Sequence, residues 1–466
     1  MKRIFLFPFL LCLLCFHSNA HAFCGFYVAK ASADLFNNAS KVIMARAEDR
    51  TVITMANDFQ GEVKDFAIVV PVPDVISEGQ VNVADPKLID HLDAYTAPRL
   101  VEYFDSNPCM KMRTMMETAM PMASIQGMGA SRDERAAALG VTIEEEYTVG
   151  EYDIVVLSAE QSDGLLTFLN SEGYKLPEGA EDILGSYIKQ DMKFFLAKVN
   201  IEEFESRGYA YLRPLQVAFE SDKFMLPIRL GTLNARGPQD LILMTLTREG
   251  RVEPTNYRTV KIPTDIDLPL YVENEFDAFY RAMFSTAVKK EDMKAVFLEY
   301  AWDMSWCDPC AADPLSRQEL RTLGAWWVEE QLDGPARPMQ GGAMPTIMPS
   351  RGGPVNAYVT RMHVRYTAET FPEDLILQET GDTENFQGRY ILRHPWKGEA
   401  QCEAAGKYFR KLPQRFDKEA ENLARLTGWD IKEIREKMEK TGQSFDGKVP
   451  VDDRPWWEKI WNREEN

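Results

Sequence analysis

An unbroken apolar run, Ile4 to Phe16, follows the basic pair Lys2 and Arg3 and precedes Ala20-His21-Ala22. That order reads as a secretory leader over residues 1–22, with Phe23 as the new N-terminus and an apolar core too short to span a bilayer. Beyond it the pattern shortens to strand length. Lys41–Ala47 and Thr51–Asn57 alternate around the polar tip Glu48-Asp49-Arg50 and predict a β-hairpin. Asp65–Val72 predicts a strand closed by prolines, and Asp85-Pro86 caps a helix over Lys87–Tyr95. After an aperiodic stretch, Val141–Val149 and Tyr152–Ser158 predict strands, then helices cover Leu165–Asn170 and Pro177–Gln190. Strands are expected at Lys193–Val199, Tyr209–Phe219, Phe224–Leu230, Asp240–Thr247 and Asn256–Ile262. Phe276–Phe284 and Leu315–Leu323 read as helices; Ala295–Asp303, Ala357–Thr367 and Arg389–Arg393 read as strands. From Glu399 the period turns helical: Cys402–Leu412, Arg415–Leu426 ending at Gly428, and a last helix capped by Asp430 and running to Lys440.

These elements predict an α+β fold, mainly antiparallel sheets with helical inserts and a helical C-terminal segment, because the last central strands lack helical crossovers. Composition shifts divide the chain into an N-terminal β-rich domain (23–109), a Met-rich linker (110–138), a central α+β domain (139–265), a third α+β domain (266–398) with a flexible loop at 332–354, a helical segment (399–440) and a tail (441–466). At 45% hydrophobic and 11% aromatic residues the chain can build true cores. Its net charge of −19 argues against nucleic acid and anionic membrane surfaces as general partners. No later apolar run is long enough for a transmembrane helix. The leader places the chain in the periplasm or outside the cell, with the periplasm preferred and a protein partner in the envelope expected.

Several blocks resemble the bacterial family known as domain of unknown function 2330. They are Cys24-Gly25-Phe26-Tyr27-Val28, the run Phe66 to Pro73, Leu92 to Arg99, Val149 to Asp153, Trp306-Cys307-Asp308-Pro309-Cys310 and Leu426 to Asp430. The resemblance implies an exported bacterial protein, mostly β with helical inserts, and transfers no activity or catalytic residue.

Export gives the cysteines an oxidising setting. Five follow the leader: Cys24, Cys109, Cys307, Cys310 and Cys402. Cys307-Asp308-Pro309-Cys310 has the spacing of a redox pair, but Asp308 would raise a neighbouring thiol's pKa; a static staple, with Cys402 as partner, is preferred. A Cys24–Cys109 bridge across the first domain is expected and would be worth roughly 3–5 kcal/mol.

No cofactor is expected, although Met110, Met112, Met115, Met116, Met120 and Met122, with Met128 and three more in the second loop, offer soft thioethers for Cu(I), and Met110/Met112 and Met120/Met122 have Met-x-Met spacing that suits one ion. Arg361, His363 and Arg365 alternate along one strand face, which suits an anion, a solvated face or pairing with the chain's acidic residues. His91 and His394 read as structural. Trp456, Trp457, Ile460 and Trp461 form an aromatic stripe expected to dock on the body of the chain. No hydrolase, metalloprotease or nucleotide-binding motif is present. The reading is a non-enzymatic envelope binding or assembly factor, with thiol–disulfide exchange through Cys307 and Cys310, or Cu(I) handling, as alternatives.

Overall fold

The computed structural model describes residues 26–30, 36–60, 66–110, 141–171, 174–175, 179–200, 203–204, 212–235, 237–306, 308, 313–328 and 355–450. The predicted hairpin forms: Phe36–Ala47 and Arg50–Gln60 pair antiparallel, and Glu48 takes φ 57° at the tip. It sits inside a nine-stranded sheet. In spatial order the sheet runs Arg258–Lys261, Ala295–Asp303, Tyr358–Tyr366, Gln239–Thr247, the two hairpin strands, Leu215–Glu220 and Val81–Val83, with Phe386–Gln387 also against Ala295–Asp303. Pairing is antiparallel except where Gln239–Thr247 meets Phe36–Ala47 and Arg258–Lys261 meets Ala295–Asp303.

A six-stranded antiparallel sheet stacks on it, in the order Val141–Val149, Tyr152–Ala159, Lys193–Val199, Phe66–Val72, Phe26–Lys30, Tyr174–Lys175. Strand alternation splits each sheet between two cores. Val42, Met44, Met55 and Leu243 pack against Ile68, Val70, Ile154 and Phe195 between the sheets. The other face of the larger sheet offers Ile43, Ala45, Met244 and Leu246 to Ile89, Leu92 and Tyr95 of the helix Pro86–Thr96. The outer face of the smaller sheet, through Val69, Leu157 and Phe194, lies under the helices Ser162–Ser171 and Ala180–Ile188. The fold class is α+β, as the pattern predicts.

The larger sheet takes strands from each of the expected segments 23–109, 139–265 and 266–398. The compositional boundaries therefore mark where the chain leaves and rejoins one sheet; they do not separate cores. Phe224–Leu230 is not a long strand: only Met225–Leu226 pairs, because Pro227 removes a ladder donor and a 3-10 turn begins at Leu230. The Asp374 carboxylate takes up the freed Ile228 and Arg229 amides at 2.9 and 3.2 Å. The two expected C-terminal helices are one, Glu403–Thr427, with Pro413 inside it. Phe409, Phe416, Ala420 and Leu423 form a single buried stripe across the proline, and that packing carries the helix past one missing hydrogen bond. The helix expected over Leu315–Leu323 spans Arg317–Thr322 and is capped by Ser316 in a reciprocal box with Glu319. Strands the pattern does not predict also form, among them Arg99–Phe104 and Leu375–Glu379. Arg99–Phe104 pairs parallel with Arg389–His394, which pairs with Ile266–Leu268.

Candidate functional site

Between the two sheets, at one end, the side chains leave a cavity of about 160 Å³. Its walls are Ile53, Met55, Val217 and Phe219 from the larger sheet and Val70, Val72 and Phe195 from the smaller one. The run Val70-Pro71-Val72-Pro73, part of one resemblance block, forms one side. The mouth is polar, rimmed by Gln190, Asp191, Ser221, Asp222 and Lys223. Asp191 sits at φ 61°, a left-handed conformation that Asp tolerates, and its carboxylate accepts from Lys193 Nζ at 2.7 Å. Stacked sheets lie about 10 Å apart, which side chains must fill, and here they leave a gap; an apolar slot with a polar rim can take an apolar group and fix its polar end.

A second cluster lies on the far face of the larger sheet. Arg361, His363 and Arg365 share that face, as their alternation requires. Glu299 faces them from a β-bulge, where the register shifts between Leu298 and Tyr300. Gly388 packs against the bulge: its amide donates to Glu299 O at 2.7 Å, and a Cβ there would lie 3.1 Å from that oxygen and 2.5 Å from Ile262 Cδ1. Arg361 Nε donates to Glu299 Oε2 at 2.6 Å and its Nη1 donates to Asp93 Oδ1. His363 Nδ1 lies 2.8 Å from Glu299 Oε1, and its Nε2 is 3.6 Å from Asp240 Oδ1. Arg365 grips Asp240 with two hydrogen bonds of 2.7 and 2.6 Å, Lys41 Nζ reaches Asp93 at 2.7 Å, and the Tyr280 hydroxyl donates to Glu299.

Burial alone would raise the Glu299 carboxyl, but the His363 and Arg361 charges outweigh it and hold it at about 2. Asp240 is likewise held at about 2, its burial overcome by His363 and Arg365. Burial would lower the His363 pKa; Glu299 and Asp240 raise it instead. Two carboxylates facing the two ring nitrogens fit an imidazolium. Phe284 stacks on that ring at 3.6 Å between centroids, closing it from the helix Phe276–Lys290. The stripe is therefore engaged by the chain's own carboxylates and acts as an electrostatic clamp between strands and two helices.

His91 bridges Glu319 and the Asp313 carbonyl at 2.9 and 2.8 Å, and His394 stacks on Phe104 while bonding Glu102 at 2.7 Å. Cys109 and Cys402 form a disulfide, with Cα atoms 6.0 Å apart. This corrects both expected pairings: Cys109 is not available to Cys24, nor Cys402 to Cys307 or Cys310. The physical reason is tertiary. Parallel pairing of Arg99–Phe104 with Arg389–His394 brings both chain exits, at Cys109 and Cys402, to the same end of the small sheet. Cys24, Cys307, Cys310, Met112, Met115, Met116, Met120, Met122, Trp456, Trp457, Ile460 and Trp461 lie outside the described residues. Met110 is described and is 76% exposed. Asp308 of the Cys-Asp-Pro-Cys motif is buried and accepts from Tyr300 at 2.9 Å and Gln387 at 2.7 Å.

Sequence reasoning did not single out Glu299, Asp93, Asp240 or Tyr280. One signal was available: Glu299 is the single charge within the apolar run Ala295 to Trp302. The resemblance blocks take clear places. Leu92–Arg99 supplies Asp93, and Tyr95, which packs edge-on to Tyr300. Val149–Asp153 makes a turn at Gly150, φ 61°, beside Glu151, whose buried carboxylate is gripped by Arg213 at 2.6 to 3.2 Å.

This architecture, two stacked sheets with helices on both outer faces, belongs to an α+β protein with an apolar inter-sheet pocket. The chain is a member of the family described as uncharacterized protein conserved in bacteria, domain of unknown function 2330, whose model matches residues 18–378. The block Leu426 to Asp430 lies beyond that span. No curated protein and no solved structure matches the chain. Among the described residues, no helix is long and apolar enough to cross a membrane.

Proposed function

We propose that this protein is an exported, non-enzymatic binding factor of the bacterial envelope, and that the inter-sheet pocket holds an aromatic or short branched group of its ligand. The observation that carries the reading is the pocket itself: apolar walls from both sheets and a polar mouth with both carboxylate and ammonium groups. Its volume of about 160 Å³ is close to the roughly 150 Å³ of an apolar cavity that takes benzene. The buried clamp around Glu299 supports the same reading, because its charges are matched and enclosed, which favours a rigid scaffold over a reacting centre. The leader supports export.

Ligand-observed NMR with indole and benzene tests the pocket. Saturable binding is expected, and Val217→Phe or Met225→Phe should abolish it by filling the slot while leaving the far-ultraviolet spectrum unchanged. Absence of saturable binding to the native protein, or binding that survives both substitutions, sinks the assignment.

A further inference from the structure

The Cys109–Cys402 bridge has two chemically unequal ends. Cys109 is exposed, in a turn where its amide is held by Asn107 Oδ1 at 2.9 Å. Cys402 is only partly exposed and is the N-cap residue of the helix Glu403–Thr427; its Sγ accepts the Ala405 amide at 3.4 Å. A thiolate released at that position keeps an N–H donor and sits at the positive end of a 25-residue helix. One charge in the same turn opposes this, Glu403, which is paired with Lys407 at 2.7 Å. Exchange is fastest when the attacked sulfur is accessible and the leaving sulfur is the better thiolate. Here Cys109 is the first and Cys402 the second.

We propose that Cys109–Cys402 is an exchange-active disulfide, reduced by an external dithiol that attacks Cys109. The dithiol's thiolate forms a bond to Cys109 Sγ; the S–S bond breaks and its electron pair leaves on Cys402 as a thiolate. The dithiol's second thiolate then attacks its own sulfur in the mixed disulfide and expels the Cys109 thiolate. The dithiol is oxidised by two electrons to its disulfide. Of its two protons, one ends on Cys109 and one goes to solvent while Cys402 stays ionised.

The fold is arranged to survive the opening. Asp105, four residues before Cys109, accepts from Tyr408 at 2.6 Å and from Arg415 at 2.5 Å, both on the helix that Cys402 caps. These contacts keep the two thiols close after reduction, so reoxidation does not need a search by the unfolded chain. The site shares no residue with the Cys-Asp-Pro-Cys motif or with the pocket, and does not depend on either.

Oxidised native protein is treated with reduced glutathione, quenched in acid, alkylated and mapped by mass spectrometry; a second sample is titrated with dithiothreitol and followed by circular dichroism. The expected result is a glutathione adduct on Cys109 in about tenfold excess over Cys402, bridge opening with an unchanged spectrum, and, in the reduced protein, a Cys402 thiol more acidic than that of Cys109. Ala405→Pro removes the capping amide at a position where a first-turn proline is tolerated, and should raise that thiol pKa. A bridge that opens only when the protein unfolds, adduct chiefly on Cys402, or a Cys402 thiol no more acidic than that of Cys109 overturns the proposal. Each of these readouts on the native protein stands even where Ala405→Pro fails to fold.

Discussion

Glu299 shows how much one side chain can hold. It is 0% exposed, and it is the shared acceptor for Arg361, His363 and Tyr280. Removing it takes one carboxylate from each of two buried cations, so Glu299→Ala should cost about 3–5 kcal/mol, read from urea unfolding midpoints. A loss below about 1 kcal/mol would mean that water reaches the clamp. A second buried carboxyl behaves oppositely. Burial raises Glu419 to about 7, with Arg415 and the Gln443 hydrogen bond offsetting only part of it. The folded protein then holds a proton that the unfolded chain gives up near the ordinary value of 4.5. Stability therefore falls as pH rises from that value to about 7 and levels off above it. Glu419→Gln should flatten this window in pH-dependent urea titrations; an undiminished slope assigns it to another group. His363 acts at the alkaline end. Its raised pKa adds stability that is complete below its ordinary 6.5 and is lost as pH rises through the folded value.

Among elements, the helix Ile431–Lys440 is the one whose start is most open to test. The Asp430 carboxylate accepts from the Lys432 and Glu433 amides at 2.7 and 3.3 Å. Asp430→Ala should lower stability by about 1 kcal/mol, seen as a lower thermal midpoint with unchanged helix content at room temperature. This cap was legible from residue order alone, as was Asp85 before Pro86–Thr96, because capping is a local interaction. Helix Glu403–Thr427 was not legible as one element. Pro413 is locally a stop, and only the stripe from Phe409 to Leu423 against the body overrides it. The same holds for Arg99–Phe104, whose mixed sequence has no clear alternation and becomes a strand by pairing with Arg389–His394.

At the scale of the molecule, the larger sheet ties residues near 40 to residues near 360. Gln239–Thr247 lies between Phe36–Ala47 and Tyr358–Tyr366, so the central strand of each expected domain needs the others. Residues 139–265 expressed alone should lack a cooperative urea transition, and the full chain should unfold as a unit across this sheet. A cooperative transition in the isolated fragment would restore the compositional boundary. The arrangement also explains the candidate sites. The pocket needs both sheets, and the clamp joins strands at Gln239–Thr247, Ala295–Asp303 and Tyr358–Tyr366 to two helices.

What the chain's order of residues determined by itself was local: the hairpin, the caps, the α+β class, the family resemblance, and the shared face of Arg361, His363 and Arg365. Each depends on neighbours within a few positions or on a strand's period of two. What only the tertiary structure decided was which distant groups meet: Glu299 and Asp93 with Arg361, Cys109 with Cys402, and the two sheets around an apolar slot. Those outcomes depend on strand pairing over tens to hundreds of positions. Register selects them through burial of whole faces, and no short stretch of sequence carries that information.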